Sequence, residues 1–466
     1  MAVFSIIKLS ELEGAKRISA EFYQAIFLQI KEKLISVDAK PLSKYLELLY
    51  RYPTFYNLEY YKEGILVLKG EDITNEGFIQ NQSQDFISFD NASRFEKTIL
   101  GERDLIFSVR GYVGKVGIVD KKYEKSIISA NLIRAKLKTL NPYFVWIFLN
   151  SKYGSYQIER IKMMTSQETV VSNDIKNLLI FVPSENFQKE IETLSINAIT
   201  RLRNSESFYS QAETLLLEEL GLKDFKPRYE KTYTAKLSDA FSAHRINAEY
   251  FQPAYEEVIK KIRNYPNGFS KLLKHVENIK PDFDPKKYPD NIFLYIELAD
   301  IDSSIGVVHS VNKIKGEEAP SRARRVLKKG DVIVSSVEGS LEKVALIDEE
   351  HDGCLASTGF FQFRPLDILP EVLLVLSKTI VLQSQLKKKC SGTILTAVPK
   401  ESLRDIIIPL IPLSIQQKIA SLVQQSHSAR KKAKELLEIA KKAVEIAIEK
   451  NEKEALEYIK IQINTT

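Results

Sequence analysis

The hydrophobic pattern of this chain changes period several times, and it does so in the same order twice. Phe22, Ala25, Ile26, Ile30 and Leu34 fall near helical spacing and predict an amphipathic helix over Glu21 to Ile35, and Pro41 to Tyr50 gives a second short apolar-periodic piece. The period then shortens. Runs rich in branched residues, bounded by Gly, Asp and Lys, predict strands at 64–68, 104–109, 115–119 and 127–128, and another at 178–182 that stops at Pro183. Between them, Pro142 to Leu149 predicts a helix with Tyr143, Trp146 and Ile147 on one face. The mixture is α+β, with a curled sheet favoured over a parallel doubly wound one.

From Phe187 a heptad seam begins: Phe187, Ile191, Leu194, Ala198, Arg201, Ser205, Phe208, Ala212 and Leu215 alternate steps of four and three. Two of its positions, Arg201 and Ser205, are polar, so the middle is weak. Gly221 is placed to end the helix. A second seam follows later, at Ile415, Ile419, Leu422, Ser426, Ala429, Ala433, Leu436, Ala440, Ala443 and Ala447, and Glu-Lys-rich sequence carries it to about Ile463.

These patterns recur because the chain is a tandem duplication. Arg17-Ile-Ser-Ala-Glu-Phe-Tyr-Gln24 returns 228 positions later as Arg245-Ile-Asn-Ala-Glu-Tyr-Phe-Gln252. At the same spacing Asp72-Ile73 becomes Asp300-Ile301, Val119-Asp120 becomes Ile347-Asp348, Ser129 becomes Ser357, Pro142 becomes Pro370 and Gln188 becomes Gln416. Asp104-Leu-Ile-Phe-Ser108 and Asp331-Val-Ile-Val-Ser335 are 227 apart, so one residue is displaced before the frame recovers. A first helix of roughly 50 Å at about 1.5 Å per residue, followed by a linker with a coil length of ~25 Å, predicts two lobes at opposite ends of an antiparallel helix pair with a pseudo-two-fold relation. The expected division is 1–185 and 245–412 for the lobes, 186–222 and 413–466 for the long helices, and 223–244 for the linker.

Composition narrows the class. The 466 residues are 44% hydrophobic and 27% charged, which is ordinary for a soluble globular protein, and no apolar run is long enough to span a membrane. Cys354 and Cys390 are the only thiols, which predicts a reducing, cytoplasmic compartment and no disulfide framework. The net charge of +6 permits a polyanionic partner without requiring one.

The motifs of catalysis do not assemble. Gly111-Tyr-Val-Gly114-Lys115 has neither the spacing nor the hydroxyl of a phosphate-cradling loop. Asn141-Pro142-Tyr143-Phe144 resembles the motif with which amino-methyltransferases hold a flipped base, but lacks the second proline, and no glycine-rich loop stands ready for a methyl donor. Pro281-Asp282 and Pro289-Asp290 lack the spaced Glu-x-Lys of a nuclease, and the five histidines are scattered. Binding is what remains, and duplex DNA suits two related lobes on a spacer. Candidate DNA-contacting residues in the first lobe are Lys69, Arg110, Lys115, Asn131, Arg134, Ser166 and Gln167. In the second they are Arg322, Arg324, Arg325, Ser336, Glu338, Ser340, Lys343, Ser391 and Thr393. Arg and Lys can hold phosphates or read guanine, Asn and Gln can read adenine, and Glu can accept from cytosine. Arg322-x-Arg324-Arg325 is the densest cluster. Arg110-Gly111-Tyr112 set against Glu338-Gly339-Ser340 reverses the charge around a matched glycine, as two readers of different half-sites would require. A coiled-coil protein scaffold without DNA specificity is the alternative.

The tandem order resembles the DNA-specificity subunit of type I restriction-modification systems. The resemblance is carried by the two Arg-Ile-x-Ala-Glu-aromatic-aromatic-Gln stretches, Gly330-Asp-Val-Ile-Val-Ser335, Ser391-Gly-Thr393 and the Pro412-Leu-x-x-Gln-x-x-Ile419 boundary. The first copy departs at Arg103, where glycine is usual, and at the degraded boundary Ser184 to Gln188. The resemblance implies two target recognition domains, each reading half of a bipartite asymmetric site. It implies helices that set the gap and dock two methyltransferase subunits, joined by restriction (helicase-nuclease) subunits. It also implies no cofactor in this chain, with S-adenosylmethionine, ATP and Mg held by the partner subunits.

Overall fold

The computed structural model describes residues 6–9, 12, 18–51, 59–80, 85–162, 168–392 and 396–465. They divide into two compact units, Met1–Leu202 with Lys431–Thr466, and Arg203–Arg430, so each unit takes a portion of both long helices.

In the first unit the Glu21–Ile35 pattern splits at Gln24: a 3-10 turn (Ala20–Tyr23) precedes α1 (Ala25–Ser36). The apolar-periodic Pro41–Tyr50 holds a 3-10 turn (Leu42–Lys44) and then most of strand β1 (Leu46–Arg51). Strands β2 (Ile65–Leu68), β3 (Phe86–Ile87), β4 (Leu105–Ser108), β5 (Val116–Ile118), β6 (Ile127–Ile128) and β7 (Leu132–Leu137) follow, then α2 (Pro142–Asn150) and α3 (Lys152–Ile161). They form a four-stranded antiparallel sheet in the order β1-β7-β4-β5 and a smaller sheet in which β2 runs antiparallel to β3 and parallel to β6. The strand expected at 178–182 shrinks to Leu179–Ile180, paired with Lys40–Pro41. α2 is buried along seven consecutive residues, Trp146 fully. Its nitrogen Nε1 donates to the Val116 carbonyl at 3.2 Å, so the ring's apolar body packs without stranding its polar edge.

α4 (Glu185–Glu219) is the first long helix. After it come α5 (Leu237–Ala243) and α6 (Pro253–Arg263), and the strand order repeats: β8 (Val276–Asn278), β9 (Ile292–Ile296), β10 (Asn312–Lys315), β11 (Ala323–Val326), β12 (Val332–Ser335), β13 (Val344–Leu346), β14 (Leu355–Ser357) and β15 (Phe360–Pro365). Then come α7 (Pro370–Lys378), α8 (Ile380–Lys389) and α9 (Leu413–Glu449), the second long helix, which the two units share. Its sheets run β8-β15-β12-β13 and β10-β9-β14-β11. The duplication holds to the hydrogen-bonded register: Val67 and Leu68 pair in parallel with Ile127 and Ile128, and Tyr295 and Ile296, 228 positions on, pair in parallel with Leu355 and Ala356.

The repeated polar residues turn out to be fasteners of this frame. Asp72 and Asp300 each close a 3-10 turn by accepting a backbone N–H three residues upstream, at 2.7 and 2.8 Å. Asp104 and Asp331 do the same for Gly101 and Lys328. Gln188 takes the Asn141 N–H and donates to the Pro183 carbonyl; Gln416 takes the Leu369 N–H and donates to the Ile411 carbonyl. The boundary judged degraded in the first copy therefore keeps its geometry, because the one side chain that clamps the long helix is retained.

The long helices depart from strict heptads. Phe187, Ile191, Leu194, Ala198, Leu202, Ser205, Tyr209, Ala212 and Leu216 form a buried line along α4 with an average step near 3.6, where a supercoiled seam needs 3.5; Gln188 and Ser195 are buried beside it. Arg201 is exposed and Phe208 and Leu215 are half-buried, each displaced by the neighbour one position on. Ser205 is satisfied: Ser426 Oγ donates to its carbonyl at 2.8 Å, and the two hydroxyls lie 3.2 Å apart. In the first unit Ser184, just ahead of α4, bonds Glu452. The second seam does not run unbroken to Ile463. Asn451 accepts the Glu454 N–H at 3.0 Å and starts a separate helix, α10 (Glu452–Thr465).

Candidate nucleic-acid interface

Three loops converge at one end of the larger sheet in each unit. In the first, the Val109 N–H donates to the Asn131 carbonyl at 2.9 Å, the Val170 N–H donates to the Val109 carbonyl at 3.2 Å, and Arg110 bridges Thr169. The 3-10 turn at Gly70 lies against them: a Cβ there would meet Ser108 Oγ at 2.7 Å and Tyr112 Cβ at 3.6 Å. In the second unit the Ser336 N–H donates to the Gly359 carbonyl at 2.9 Å, the Val398 N–H to the Ser336 carbonyl at 2.8 Å, and Val337 bridges Ala397. The bridge equates Arg110 with Val337, not with Glu338. Glu338–Ser340 is a 3-10 turn that holds the residue by which the second loop is longer, so the charge reversal around a matched glycine is a slip of register.

The candidates sort by what already holds them. Arg110, Asn131, Ser336, Glu338 and Ser391 lie in these loop clusters, Ser391 by paired backbone bonds to Ala397 at 2.9 and 3.0 Å. Ser340 holds Ser335 at 3.1 Å. Arg322 is exposed, and its carbonyl takes the Thr358 N–H at 2.8 Å, which puts it at the same end. Others are committed to the frame. Lys115 and Lys343 are equivalents that donate to the carbonyls of Ile73 and Ile301 at 2.8 and 3.1 Å. Arg134 Nε binds Asp104 at 2.7 Å with only 12% of its side chain exposed. Arg325 is buried on the Ile279 carbonyl at 2.6 Å, and burial pushes its guanidinium down to about 10. Arg324 turns to Asp284 at 3.9 Å. The three arginines of 322–325 therefore do not form one anion site, since a bulge between Ala323 and Arg325 sends them in different directions. Lys69 is paired with Asp85 beneath the ring of Tyr60. Ser166, Gln167 and Thr393 lie outside the described residues.

Arg51 was not among the candidates. It ends β1 opposite Ile133, and burial, then the nearby Arg110 guanidinium, push its pKa down. Neither arginine makes an ion pair among the described residues, and two like charges near each other favour an anion as their partner. Tyr112, 53% exposed, and Lys115 5.1 Å from its ring add an aromatic face. The leucine-rich Leu46-Glu-Leu-Leu reads as helical, which hid the strand that delivers Arg51. Asn141, by contrast, is a helix cap: its Oδ1 accepts the N–H groups of Tyr143 and Phe144, and its amide donates to Glu192 at 2.7 Å. Among the described residues no group of three or more His, Cys, Asp or Glu could hold a metal ion, and no helix is long and apolar enough to cross a membrane.

The family described as the type I restriction modification DNA specificity domain matches residues 52–195 and 304–441, together more than half of the sequence. The chain belongs to this family. It carries the domain twice, and each match takes in part of a lobe and part of the long helix after it. A type I restriction enzyme HindI specificity subunit from Haemophilus influenzae is 24% identical over 151 residues, 31% of this chain and 32% of that protein, so this match spans about a third of its length. Among solved structures, a type I restriction-modification S subunit from M. genitalium is 17% identical with a TM-score of 0.39, covering 86% of this chain and 93% of that one. The HsdS subunit from Thermoanaerobacter tengcongensis is 17% identical with a TM-score of 0.28, covering 88% and 96%. Likenesses that loose carry no argument here.

Proposed function

We propose that the chain is the non-catalytic DNA-specificity subunit of a type I restriction-modification complex. Each loop cluster reads one half of a bipartite asymmetric duplex site. The long helices set the gap and dock two methyltransferase subunits, and restriction subunits join that core. S-adenosylmethionine, ATP and Mg belong to the partners. The observation that carries the reading is the convergence of three loops at the same end of the larger sheet in each unit, in a chain that bears the specificity domain twice.

The test is equilibrium binding of the methyltransferase-loaded chain to its methylated duplex sequence across a salt series. Affinity should fall steeply with salt, as phosphate contacts release counterions. Arg110→Ala and Arg51→Ala should each cost about 1–3 kcal/mol if they read a base, or lower the salt slope by about one if they hold a phosphate. Binding every duplex alike, with no defined sequence methylated, would sink the proposal. Inserting four residues after Ser205 should alter the tolerated gap and leave each half-site preference as it was.

A further inference from the structure

Helices α3 and α8 correspond end to end across the duplication, and each feeds the third loop of its cluster. After α3 the chain reaches Thr169, which bridges Arg110; after α8 it reaches Ala397, which bridges Val337. Thr169 and Ala397 keep the same spacing of 228. The position of the last turn of each helix therefore sets where its loop begins.

That last turn is gripped by the repeated octapeptide. In the second unit Arg245 donates to the Lys389 carbonyl at 3.1 Å and to that of Cys390, groups at a helix end that have no partner within the helix. Its Nε donates to Asn247 at 2.9 Å, and its guanidinium lies 4.6 Å from the Tyr250 ring, so the fork is aimed before it binds. The same ring lies 4.8 Å from the Lys388 ammonium, while Lys387 pairs with Glu249 at 3.8 Å. In the first unit Arg160 stands where the second has Lys388, and Phe22 where it has Tyr250. Arg160 lies 4.0 Å from the Phe22 ring and donates to the Phe22 carbonyl at 3.0 Å. Arg17, the counterpart of Arg245, lies outside the described residues.

Core packing does not account for the second octapeptide, since none of residues 245–251 is buried. What it holds is one peptide group. The bond joining Cys390 to Ser391 is fixed on both sides: its carbonyl accepts from Arg245, and its N–H donates to the Ala397 carbonyl at 2.9 Å. On the far side of the loop the Glu338 N–H donates to the Thr396 carbonyl at 3.0 Å, and the Val398 N–H to the Ser336 carbonyl at 2.8 Å. Arg245 thus fixes the root of a loop whose other end is tied to Ser336 and Glu338.

We propose that Arg245 is a positioning residue for half-site reading, which orients the third loop of the second cluster by holding the Cys390–Ser391 peptide group, and that Arg160 on Phe22 serves the first cluster in the same way. Neither arginine needs to touch the duplex. Each acts through the direction in which its loop leaves the helix, and a loop whose root can rotate presents its side chains to the bases in several poses. The proposal rests on the preceding reading that each loop cluster reads one half of a bipartite site.

The experiment uses the full-length chain in complex with the methyltransferase subunit encoded with it, and measures methylation of duplexes that each carry one base change in one half-site. Arg245→Ala and Arg160→Ala should each relax discrimination about tenfold in one half only, and in a different half for each. Arg245→Lys, which keeps the charge and loses the two-pronged fork, should recover less than half of that loss. Amide exchange supplies a local readout: in Arg245→Ala the Ser391 and Ala397 amides should exchange at least about tenfold faster, while those of Val332–Ser335 keep their protection. Unchanged discrimination, equal relaxation of both halves, full recovery by lysine, or equal loss of protection in β12 would each overturn the proposal. A complex of the unaltered chain that methylates no defined sequence would bring down the underlying reading as well; a defined sequence, with variants that discriminate normally, would bring down this inference alone.

Discussion

The two units solve one electrostatic problem with different residues. In the first, the buried carboxylate of Asp104 takes its cation from Arg134, across the sheet at 2.7 Å. In the second, Asp331 faces Gln362 at Arg134's position, and its cation comes from Arg364, which stands where the first unit has Lys136. Both strands alternate, so residues two apart point to the same face and either can reach the carboxylate. The frame constrains the presence of a compensating charge and leaves its position free. Loop residues are under no such demand, which is why Arg110 and Val337 occupy equivalent places with nothing in common.

The largest effect should come from removing the charge that this arrangement serves. Asp331→Ala would strand a guanidinium that donates to it twice, at 2.8 and 2.9 Å, together with the Lys328 N–H, and should cost about 3 kcal/mol in urea denaturation. A loss below about 1 kcal/mol would mean that solvent replaces the pair. The exchange can then be tested directly. Arg134→Gln alone should cost about 2 kcal/mol, and adding Lys136→Arg should recover at least half by transplanting the second unit's solution. No recovery would show that the two arrangements are not interchangeable.

A second contrast lies at the end of the helix behind the larger sheet. Asn150 is neutral and bonds the carbonyls of Val116 and Trp146. Its equivalent, Lys378, is driven against the carbonyls of Ser303 and Ser304 and the ring of Tyr209, and burial pushes its ammonium down to about 8. Between that value and the ordinary lysine value of 10.5, the unfolded chain holds a proton that the folded chain has released. The second unit's stability should therefore rise with pH across this window, and Lys378→Asn should flatten the rise. Thermal melts at pH 7.5 to 10.5, placed by those two values, would decide it; a fall with pH, or no effect of the substitution, would remove Lys378 as the cause.

What the sequence made legible was whatever repeats. The octapeptide, the Asp-Ile pairs and the boundary glutamine mark fasteners whose partners are backbone groups at fixed distance, so identity and spacing survive together. Contacts made by side chains remote in sequence were not legible. Nothing near Arg134 announces that Asp104, thirty residues away, will claim it, and nothing near Arg325 announces the Ile279 carbonyl. The seam was nearly right, but the difference between 3.5 and 3.6 residues per turn accumulates. By the middle of α4 the pattern favours Arg201 and Phe208 while the fold buries Leu202 and Tyr209. Of the interface, the loops could be found from their polarity between strands, whereas Arg51 could not, because its strand is written in leucine.

The smallest effect concerns the place where the first copy departs from glycine. Gly330 sits at φ 86°, and its equivalent Arg103 adopts φ 72°, a left-handed conformation that costs a side-chain-bearing residue about 1–2 kcal/mol. Arg103 is not idle there: it pairs with Glu192 at 2.5 Å and lies 5.4 Å from the Tyr143 ring. Half of that side chain remains in solvent, where such a pair is worth no more than about 1 kcal/mol. Strain exceeds the contact, so Arg103→Gly should stabilise the first unit by about 0.5 kcal/mol. Arg103→Ala, which keeps the strain and loses the pair, should destabilise by a similar amount. If both substitutions destabilised equally, the contacts of Arg103 would outweigh its backbone, and the arginine would be a fastener in its own right.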